Sequence, residues 1–211
     1  MYRRFLDPVV TLFTTGEYYK EVFQAKQEYF EKAGVVYEED AEFENRMCIF
    51  MDWYIFEREL PSVDLPPIKL YFRNNKELFT PEEQEIHKDF CNTVHSVFYL
   101  LKVSAKAIVV RDLFTKKKYE VEEAELTAGF QQGDIFEARL IPFKGSFQFS
   151  KGFCFHPVEM EKFILSEIKK VRFQDKSRQT KLILQLSSMK LKHTRYQHIN
   201  IKHIYTAEPK F

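Results

Sequence analysis

Apolar positions in the first part of the chain recur at the spacing of amphipathic helices. The pattern predicts one helix over residues 17–33, which Gly34 ends, and a second helix over residues 38–59, whose first turn is acidic. Pro61, Pro66 and Pro67 then break the helical pattern, and the stretch IKLYF is predicted to add one short helical turn. The chain is therefore expected to begin with a helical region.

A further helix is predicted to begin after Thr80. Thr80 is a suitable N-cap, Pro81 suits the first helical position, and Glu83 completes the signature of a capping box. Apolar residues then follow at helical spacing up to Val97, so the helix is expected to continue to about that residue.

From about Phe98 the period changes to the alternation of β-strands. Apolar and polar residues alternate, or β-branched and aromatic residues run together, in AIVVRDLF, KKYEVEE, DIFEARLIPF and SFQFSKGFCF. The segments between them, TKKK, QQGD and FKG, are typical of turns. So few strands in so short a stretch favour a small antiparallel barrel or a strongly bent sheet over a large sandwich.

The chain after these strands is predicted to return to helix. Pro157 suits the first turn of one helix, and Ser177 is a candidate N-cap for a second, longer one. Leu182 and Leu186 share a face of this second helix, although the alternation of Leu182, Leu184 and Leu186 would also fit a strand. The last segment, INIKHIYTAEPKF, is predicted to be extended.

These patterns together predict an α+β fold in three parts. An acidic helical region over residues 1–96 is followed by an antiparallel β-barrel-like region over residues 97–156. A basic C-terminal segment of helices and tail, over residues 157–211, is expected to pack on the rest of the molecule.

Cysteine usage and hydropathy indicate the compartment. The cysteines, Cys48, Cys91 and Cys154, are odd in number and far apart, which is unlike a disulfide framework. Asp7 and Pro8 interrupt the N-terminal apolar residues before a signal-peptide segment could form, and no stretch reaches the roughly 18 apolar residues of a membrane span. We therefore expect a soluble cytoplasmic protein that does not insert into membranes.

Charge is distributed unevenly along the chain, which the net value of +1 hides. Residues 169–211 contain 11 Lys and Arg against 2 Asp and Glu, whereas residues 1–168 contain 21 against 29. The basic segment is therefore a candidate site for DNA or RNA. Its candidate contact residues are Lys169, Lys170, Arg172, Arg178, Lys181, Lys190, Lys192 and Arg195. The alternative is that these charges face water or compensate the acidic remainder of the chain.

Residues that could bind a metal occur in two places, and neither has the spacing of a complete site. Cys154 and His156 share one face of a strand, but two ligands are too few for zinc. His87, Cys91 and His95 fall along one stripe of the preceding helix, where the outer two would lie about 12 Å apart along the axis. The stripe is expected to be half-buried beside the core, and no metal is predicted.

No catalytic or cofactor site is predicted either. Glu137 and Arg139 share a face of the strand DIFEARLIPF and are expected to point outward as a surface charge pair. The chain has no GxSxG or HExxH motif, and it lacks the GxGxxG and GxxxxGK[ST] loops that hold nucleotide phosphates.

Several short motifs follow one another between residues 43 and 205, namely FMDWYIFER, VVRDLFTKKKYEVEE, GDIFEARLIPF and KHIY. Their order resembles the loose pattern FxDWxxF, DLxT, VxE and GDxxxARLxP of a family of uncharacterised bacterial proteins. Some of those relatives resemble proteins with a C-terminal cysteine-rich SEC-C zinc motif, which this chain lacks. The resemblance implies a helical N-terminus followed by a small barrel, and it implies no activity.

The sequence therefore favours a non-catalytic cytoplasmic binding or adaptor protein that acts through protein–protein recognition. PPIKLYF and Trp53 are candidate contact elements, and core packing is the alternative use of both. Nucleic-acid binding by the basic segment is the second hypothesis. The third is an enzyme whose pocket would gather His87, His95 or His156 with carboxylates.

Overall fold

The computed structural model describes residues 2–104, 107–122 and 129–207, and it has the expected α+β architecture with a helical N-terminal half. The helices before the sheet are α1 (Arg3–Thr14), α2 (Tyr19–Ala33), α3 (Phe43–Phe56), α4 (Pro67–Asn75) and α5 (Pro81–Phe90). The strands are β1 (Val94–Val103), β2 (Ile108–Asp112), β3 (Lys118–Val121), β4 (Ile135–Phe143), β5 (Ser146–Phe149) and β6 (Cys154–His156). The helices after the sheet are α6 (Glu161–Val171), α7 (Lys176–Arg195) and α8 (Ile201–Ile204).

The sheet closes on itself as a small barrel. Neighbouring strands pair in the order β1, β2, β3, β5 and β4, and β4 pairs again with β1, while β6 extends the sheet at β4. The closing pair joins residues 94–99 of β1 to residues 135–140 of β4. Most pairings are antiparallel as expected, but β3 and β5, which are not consecutive strands, pair in parallel at Val121 and Phe147.

The barrel interior is an apolar core. Phe136, Ala138 and Leu140 of β4 point into it, together with Phe98 of β1 and Phe149 of β5, and each is at most 2 % exposed. The side chains of β4 on the opposite face are covered as well. Ile135 packs in one cluster with residues of α6 and α7, and Ile141 packs with the N-terminal helices.

Three helices in the N-terminal region differ from the expectation. Helix α3 runs over Phe43–Phe56 and is shorter than the helix predicted over residues 38–59. Helix α1 was not predicted, but its Val9 and Phe13 are buried against the core. That burial compensates for the backbone hydrogen bond that Pro8 cannot donate. The stretch IKLYF lies within α4, which runs from Pro67 to Asn75 and is thus longer than one turn.

The helix predicted from Thr80 begins with the expected capping box but ends at Phe90. Val94 and Val97 continue the helical spacing, yet they belong to β1 and pair with β4. Strand pairing has thus overridden the local helical pattern at this point.

The C-terminal elements also differ in detail. The segment that could have been a helix or a strand forms helix α7. Its N-cap is Asp175 instead of Ser177, since the Asp175 carboxylate accepts a hydrogen bond from the Arg178 amide at 2.9 Å. The segment predicted to be extended contains the short helix α8. The end of that segment, residues 208–211, lies outside the described residues.

Two observations bear on the environment of the protein. None of the helices in the described ranges is long and apolar enough to cross a membrane. The cysteines Cys48, Cys91 and Cys154 are all free thiols.

Candidate functional site

Ionisable side chains from three elements meet between the barrel and α3. We call them the buried charge network: Glu57, His95, Glu137 and Arg139. His95 Nδ1 lies 2.7 Å from Glu57 Oε1, and His95 Nε2 lies 3.0 Å from Glu137 Oε1. Arg139 donates to the same oxygen of Glu57. His95, Glu137 and Arg139 are at most 5 % exposed.

Strand pairing places three members of the network on one face of the sheet. His95 of β1 lies opposite Arg139 of β4, and Val97 lies opposite Glu137. Because alternate residues share a face, all three point away from the barrel interior. The expectation that Glu137 and Arg139 form a surface pair was wrong, because helix α3 covers this face and supplies Glu57 at its C-terminal end.

The network stabilises opposite charges on Glu57 and His95. Burial alone would raise the pKa of Glu57, but the charges of His95 and Arg139 hold it well below its ordinary value. Burial also disfavours protonation of His95, yet the charge of Glu57 beside Nδ1 and the hydrogen bond to Glu137 raise its pKa. With a carboxylate on each ring nitrogen, the imidazolium is the favoured form of His95.

Further contacts tie the network to neighbouring elements. Lys176, the first residue of α7, has an exposed stem, but its Nζ donates to the backbone oxygen of His95 at 2.8 Å. Arg139 Nη1 donates to Thr93 Oγ1 at 2.9 Å, and the guanidinium carbon lies 5.1 Å from the centroid of the Phe56 ring. Helices α3 and α7 are therefore joined to the barrel at one point.

A cavity of about 10 Å³ lies beside the network, and Asp52, His95, Glu137 and Arg139 line part of it. Glu137 Oε2 and Arg139 Nε are buried and have no hydrogen-bond partner among the described residues. Burial also raises the pKa of Asp52, against the attraction of Arg139. A cavity of this size holds at most about one water molecule, so it offers no room for a substrate.

A groove of about 1110 Å³ opens on the other side of Glu57. Residues of α2, α3, α4 and α7 and the connection between α3 and α4 form its walls. The apolar lining consists of Trp53, Phe56, Pro61, Pro66 and Leu184. Glu57 and Lys176 also line this groove, so the charged residues around His95 reach its wall.

The groove carries an excess of positive charge. Five cationic and three anionic side chains line it. Of the anions, Glu28 lies 2.8 Å from Arg58 Nε, and Glu57 is held in the network. Lys69 and Lys181 are exposed, and neither forms an ion pair with another described residue. The third anion, Glu59, is exposed and forms no ion pair with a described residue, so the free charges of the groove are two lysines against one carboxylate.

The residues proposed for nucleic-acid contact are not equivalent in the structure. Lys190 Nζ lies 3.2 Å from Glu42 Oε1, and Arg195 Nε donates to Asp40 Oδ1 at 3.1 Å. These contacts attach the C-terminal half of α7 to the acidic N-terminal region. The charges of Lys190 and Arg195 are therefore paired with carboxylates of the N-terminal region.

The other candidates lie on α6, on the following turn and elsewhere along α7. Lys170 Nζ lies 2.5 Å from Glu167 Oε1, and Lys192 lines a cavity of about 220 Å³ between α6 and α7. Lys169, Arg178 and Lys181 are exposed, and Arg172 is half-buried in the α6–α7 turn. The structure therefore pairs three of the eight residues with carboxylates and leaves Lys169, Arg178 and Lys181 exposed.

The residues that were weighed as metal ligands lie on different elements. His87 lies within α5, Cys91 caps the C-terminus of that helix, and His95 belongs to β1, so the expected helical stripe does not exist. No cluster of at least three His, Cys, Asp or Glu residues suited to a metal occurs within the described ranges.

Cys154 and His156 are buried on the face of β6 that turns away from the barrel interior. Burial raises the pKa of Cys154 to about 12, so the thiol stays protonated. Burial, and then the charges of Arg46 and Lys190, lower the pKa of His156 to about 3. His156 Nδ1 lies 3.1 Å from the Tyr205 hydroxyl. His156 and Tyr205 thus form a neutral polar contact in the core.

Sequence reasoning missed the roles of Glu57 and Lys176. Glu57 follows the apolar run of α3, and a carboxylate at that point is a signal for a buried cationic partner. Trp53 is 7 % exposed and packs 5.3 Å from the Tyr29 ring, so core packing is its main use, although one edge lines the groove.

Comparison with known proteins gives a family but no activity. Searches of curated proteins and of solved structures found no match to the chain. A family model described as a family of unknown function, DUF7986, matches residues 15–188. This agrees with the resemblance to uncharacterised proteins, and the chain belongs to that family of unknown function.

Proposed function

We propose that this chain is a non-catalytic cytoplasmic binding protein that recognises an extended acidic segment of a protein partner in the groove beside Glu57. The observation that supports this most is the combination of an apolar lining and unpaired lysines in one groove. Its volume of about 1110 Å³ lies above the range of about 300–1,000 Å³ that is usual for small-molecule pockets. A short stretch of extended peptide would suit it better.

The two kinds of lining divide the task of recognition. An apolar side chain of the partner would be buried against Phe56, Pro66 and Leu184, which supplies most of the affinity. Carboxylates on either side of it would meet Lys69 and Lys181, which supplies charge specificity and faster association. A basic segment would be repelled by the same lysines.

A catalytic role for the buried charge network is not part of the proposal. Proton transfer is most efficient when the pKa of the base is near the working pH, and the pKa of Glu57 is held well below that range. Both ring nitrogens of His95 face carboxylates, so neither can accept a proton from a substrate. The network fits the task of fixing one wall of the groove.

The cytoplasmic assignment rests on the three free thiols, because free cysteines are usual in reducing compartments. Fractionation of cells with antibodies against the native protein would test it.

The binding proposal can be tested by peptide selection on the folded protein. Displayed random peptides would be selected on the wild type and then counter-selected on the double variant Lys69→Glu/Lys181→Glu. Enriched peptides should carry Asp or Glu beside an aromatic or aliphatic residue. Trp53 is the single Trp of the chain and lines the groove, so its fluorescence should change as a synthetic peptide binds.

A matched control separates the groove from general charge effects. Lys20 and Lys162 are exposed and do not line the groove, so Lys20→Glu/Lys162→Glu makes the same change of net charge elsewhere. The groove variant should bind the selected peptide about tenfold more weakly or worse, while the control should stay within about twofold. Equal binding by both variants, or no enrichment of acidic peptides, would rule the proposal out.

A further inference from the structure

Two segments that are distant in sequence form one basic surface at the end of α6. The turn between β2 and β3 packs on this helix, because Leu113 and Phe114 share a buried cluster with Ile164 and Ile168. The rest of that turn therefore lies near the residues that follow α6. We call the combined region the hairpin surface: Arg111, Lys116, Arg172 and Phe173.

Like charges are crowded on the hairpin surface. Lys116 is exposed and sits in the left-handed backbone region, with φ of 65°. Burial of its ammonium group and then the positive charges of Arg172 and Arg111 lower the pKa of Lys116, while Asp112 acts in the opposite direction. Cations held this close favour an anionic ligand that would relieve their repulsion.

The carboxylate nearest to this cluster in the turn is already engaged. Asp112 accepts hydrogen bonds from the hydroxyls of Ser96 and Thr115, each at 2.6 Å, and from the Phe114 amide at 2.9 Å. By contrast, the Nε atoms of Arg111 and Arg172 are buried and have no hydrogen-bond partner among the described residues. The two guanidinium groups therefore have unused hydrogen-bond donors, whereas the carboxylate of Asp112 already accepts several hydrogen bonds.

An aromatic side chain stands beside these cations. Phe173 follows α6 and is 87 % exposed, the largest exposure among the large apolar residues that the structure describes. The guanidinium carbon of Arg172 lies 4.5 Å from the centroid of its ring. One face of the ring is therefore held by a cation, and the rest is available to solvent.

We propose that the hairpin surface binds single-stranded nucleic acid, with a base stacked on Phe173 and the backbone phosphates held by Arg111, Lys116 and Arg172. Exposed aromatic rings among cations are the recurring way in which proteins hold single strands, because every base offers a face for stacking. The surface shares no residue with the groove, so this inference does not rest on peptide binding.

An anionic membrane is a less suitable partner for the same chemistry. Inserting Phe173 into lipid would carry the guanidinium that lies over its ring toward hydrocarbon, where a charge is costly. A base stacks on the ring while the guanidinium stays in water beside a phosphate. The test nevertheless includes vesicles.

The experiment measures fluorescence anisotropy of labelled oligonucleotides of about 20 residues as RNA, single-stranded DNA and duplex DNA. The single strands should bind more tightly than the duplex, and binding should weaken steeply between about 50 mM and about 200 mM salt. Phe173→Ala should weaken binding of single strands about tenfold. Arg172→Gln should reduce the slope of log affinity against log salt by about one.

A matched control is available on α2, where Phe23 is 56 % exposed and Lys20 is exposed. Phe173→Ala/Arg172→Gln should lose binding that Phe23→Ala/Lys20→Gln retains, with unchanged circular dichroism in both. The proposal is overturned if both double variants lose binding equally or if no binding occurs at low salt. It is also overturned if the protein binds only to sedimenting vesicles of phosphatidylserine and phosphatidylcholine.

Discussion

The two faces of strand β4 are both buried, yet different forces hold them. On the inner face Phe136 packs against Phe149 and Phe98 with ring centroids 5.9 and 6.2 Å away. On the outer face Glu137 and Arg139 are equally inaccessible, but each depends on specific charged partners. The inner face is stabilised by removal of apolar area from water, and the outer face by pairing charges that burial would otherwise penalise.

This difference determines how each face responds to change. An apolar core loses stability in proportion to the volume removed, whatever the pH. A buried ion pair contributes little beyond its desolvation cost, but losing one member leaves the other buried without compensation. The outer face should therefore be sensitive to single substitutions, to their combination and to pH, whereas the inner face should be sensitive to volume alone.

The largest effect is expected on the inner face. Phe136→Ala should lower the free energy of unfolding by about 3–5 kcal/mol, because it opens a cavity in a core that cannot collapse around it. Urea titration followed by circular dichroism would measure this. Phe173→Ala removes the same atoms at an exposed position and should change stability by less than about 0.5 kcal/mol. Similar losses at both positions would contradict the assignment of Phe136 to a packed interior.

A somewhat smaller loss is expected when Arg139 is replaced on the outer face. Arg139→Met keeps the apolar stem but leaves the carboxylate of Glu57 with one cationic partner fewer, and the free energy of unfolding should fall by about 3 kcal/mol. The same titration gives the value. Arg178→Met, at an exposed position of α7, should be nearly neutral. A loss below about 1 kcal/mol for Arg139→Met would mean that water reaches this face.

Alternation along β4 predicted which residues share a face, and this was correct. It could not predict that the face of Glu137 and Arg139 is covered, because the covering residue, Glu57, comes from a helix distant in sequence. A polar residue in a strand is usually solvated, so burial has to be inferred from a partner, and a single sequence does not identify that partner.

The same limit explains the other errors. Val94 and Val97 fit a helix locally, but long-range pairing with β4 placed them in a strand and separated His95 from His87. Counting charges found the basic segment without distinguishing Lys190, which is paired with Glu42, from exposed Lys169. Local signals with a complete chemical pattern, such as the capping box at Thr80, were predicted correctly.

Coupling between Glu57 and Arg139 should be measurable although smaller than either loss above. In a double-mutant cycle with Glu57→Gln and Arg139→Met, the double variant should be more stable than the sum of the single effects predicts, by about 2 kcal/mol. Pairing Glu57→Gln with Lys118→Met, an exposed residue of β3, should give additivity within about 0.5 kcal/mol. Additivity in both cycles would mean that the two side chains do not act as a pair.

The smallest effect concerns pH, and two histidines on the outer face should respond in opposite directions. His95 faces Glu57, Glu137 and Arg139, and its pKa is raised in the folded protein. Its contribution to the free energy of unfolding is therefore complete below the pKa of a histidine in the unfolded chain, about 6.5. That contribution is lost as pH rises through the raised folded value. The difference in stability between wild type and His95→Gln should therefore shrink as pH increases from about 6 to about 9.

No carboxylate among the described residues contacts His156, and its pKa is lowered to about 3. The unfolded chain therefore binds a proton below pH of about 6.5 that the folded protein does not, and stability falls by about 1.4 kcal/mol at one unit below that value. His156→Gln should remove this loss, so its stability relative to wild type should improve as the pH falls. Urea titrations of both variants and the wild type at several pH values would test this. If the stabilities of the two variants relative to wild type changed in the same direction with pH, the carboxylates beside His95 would not set its charge.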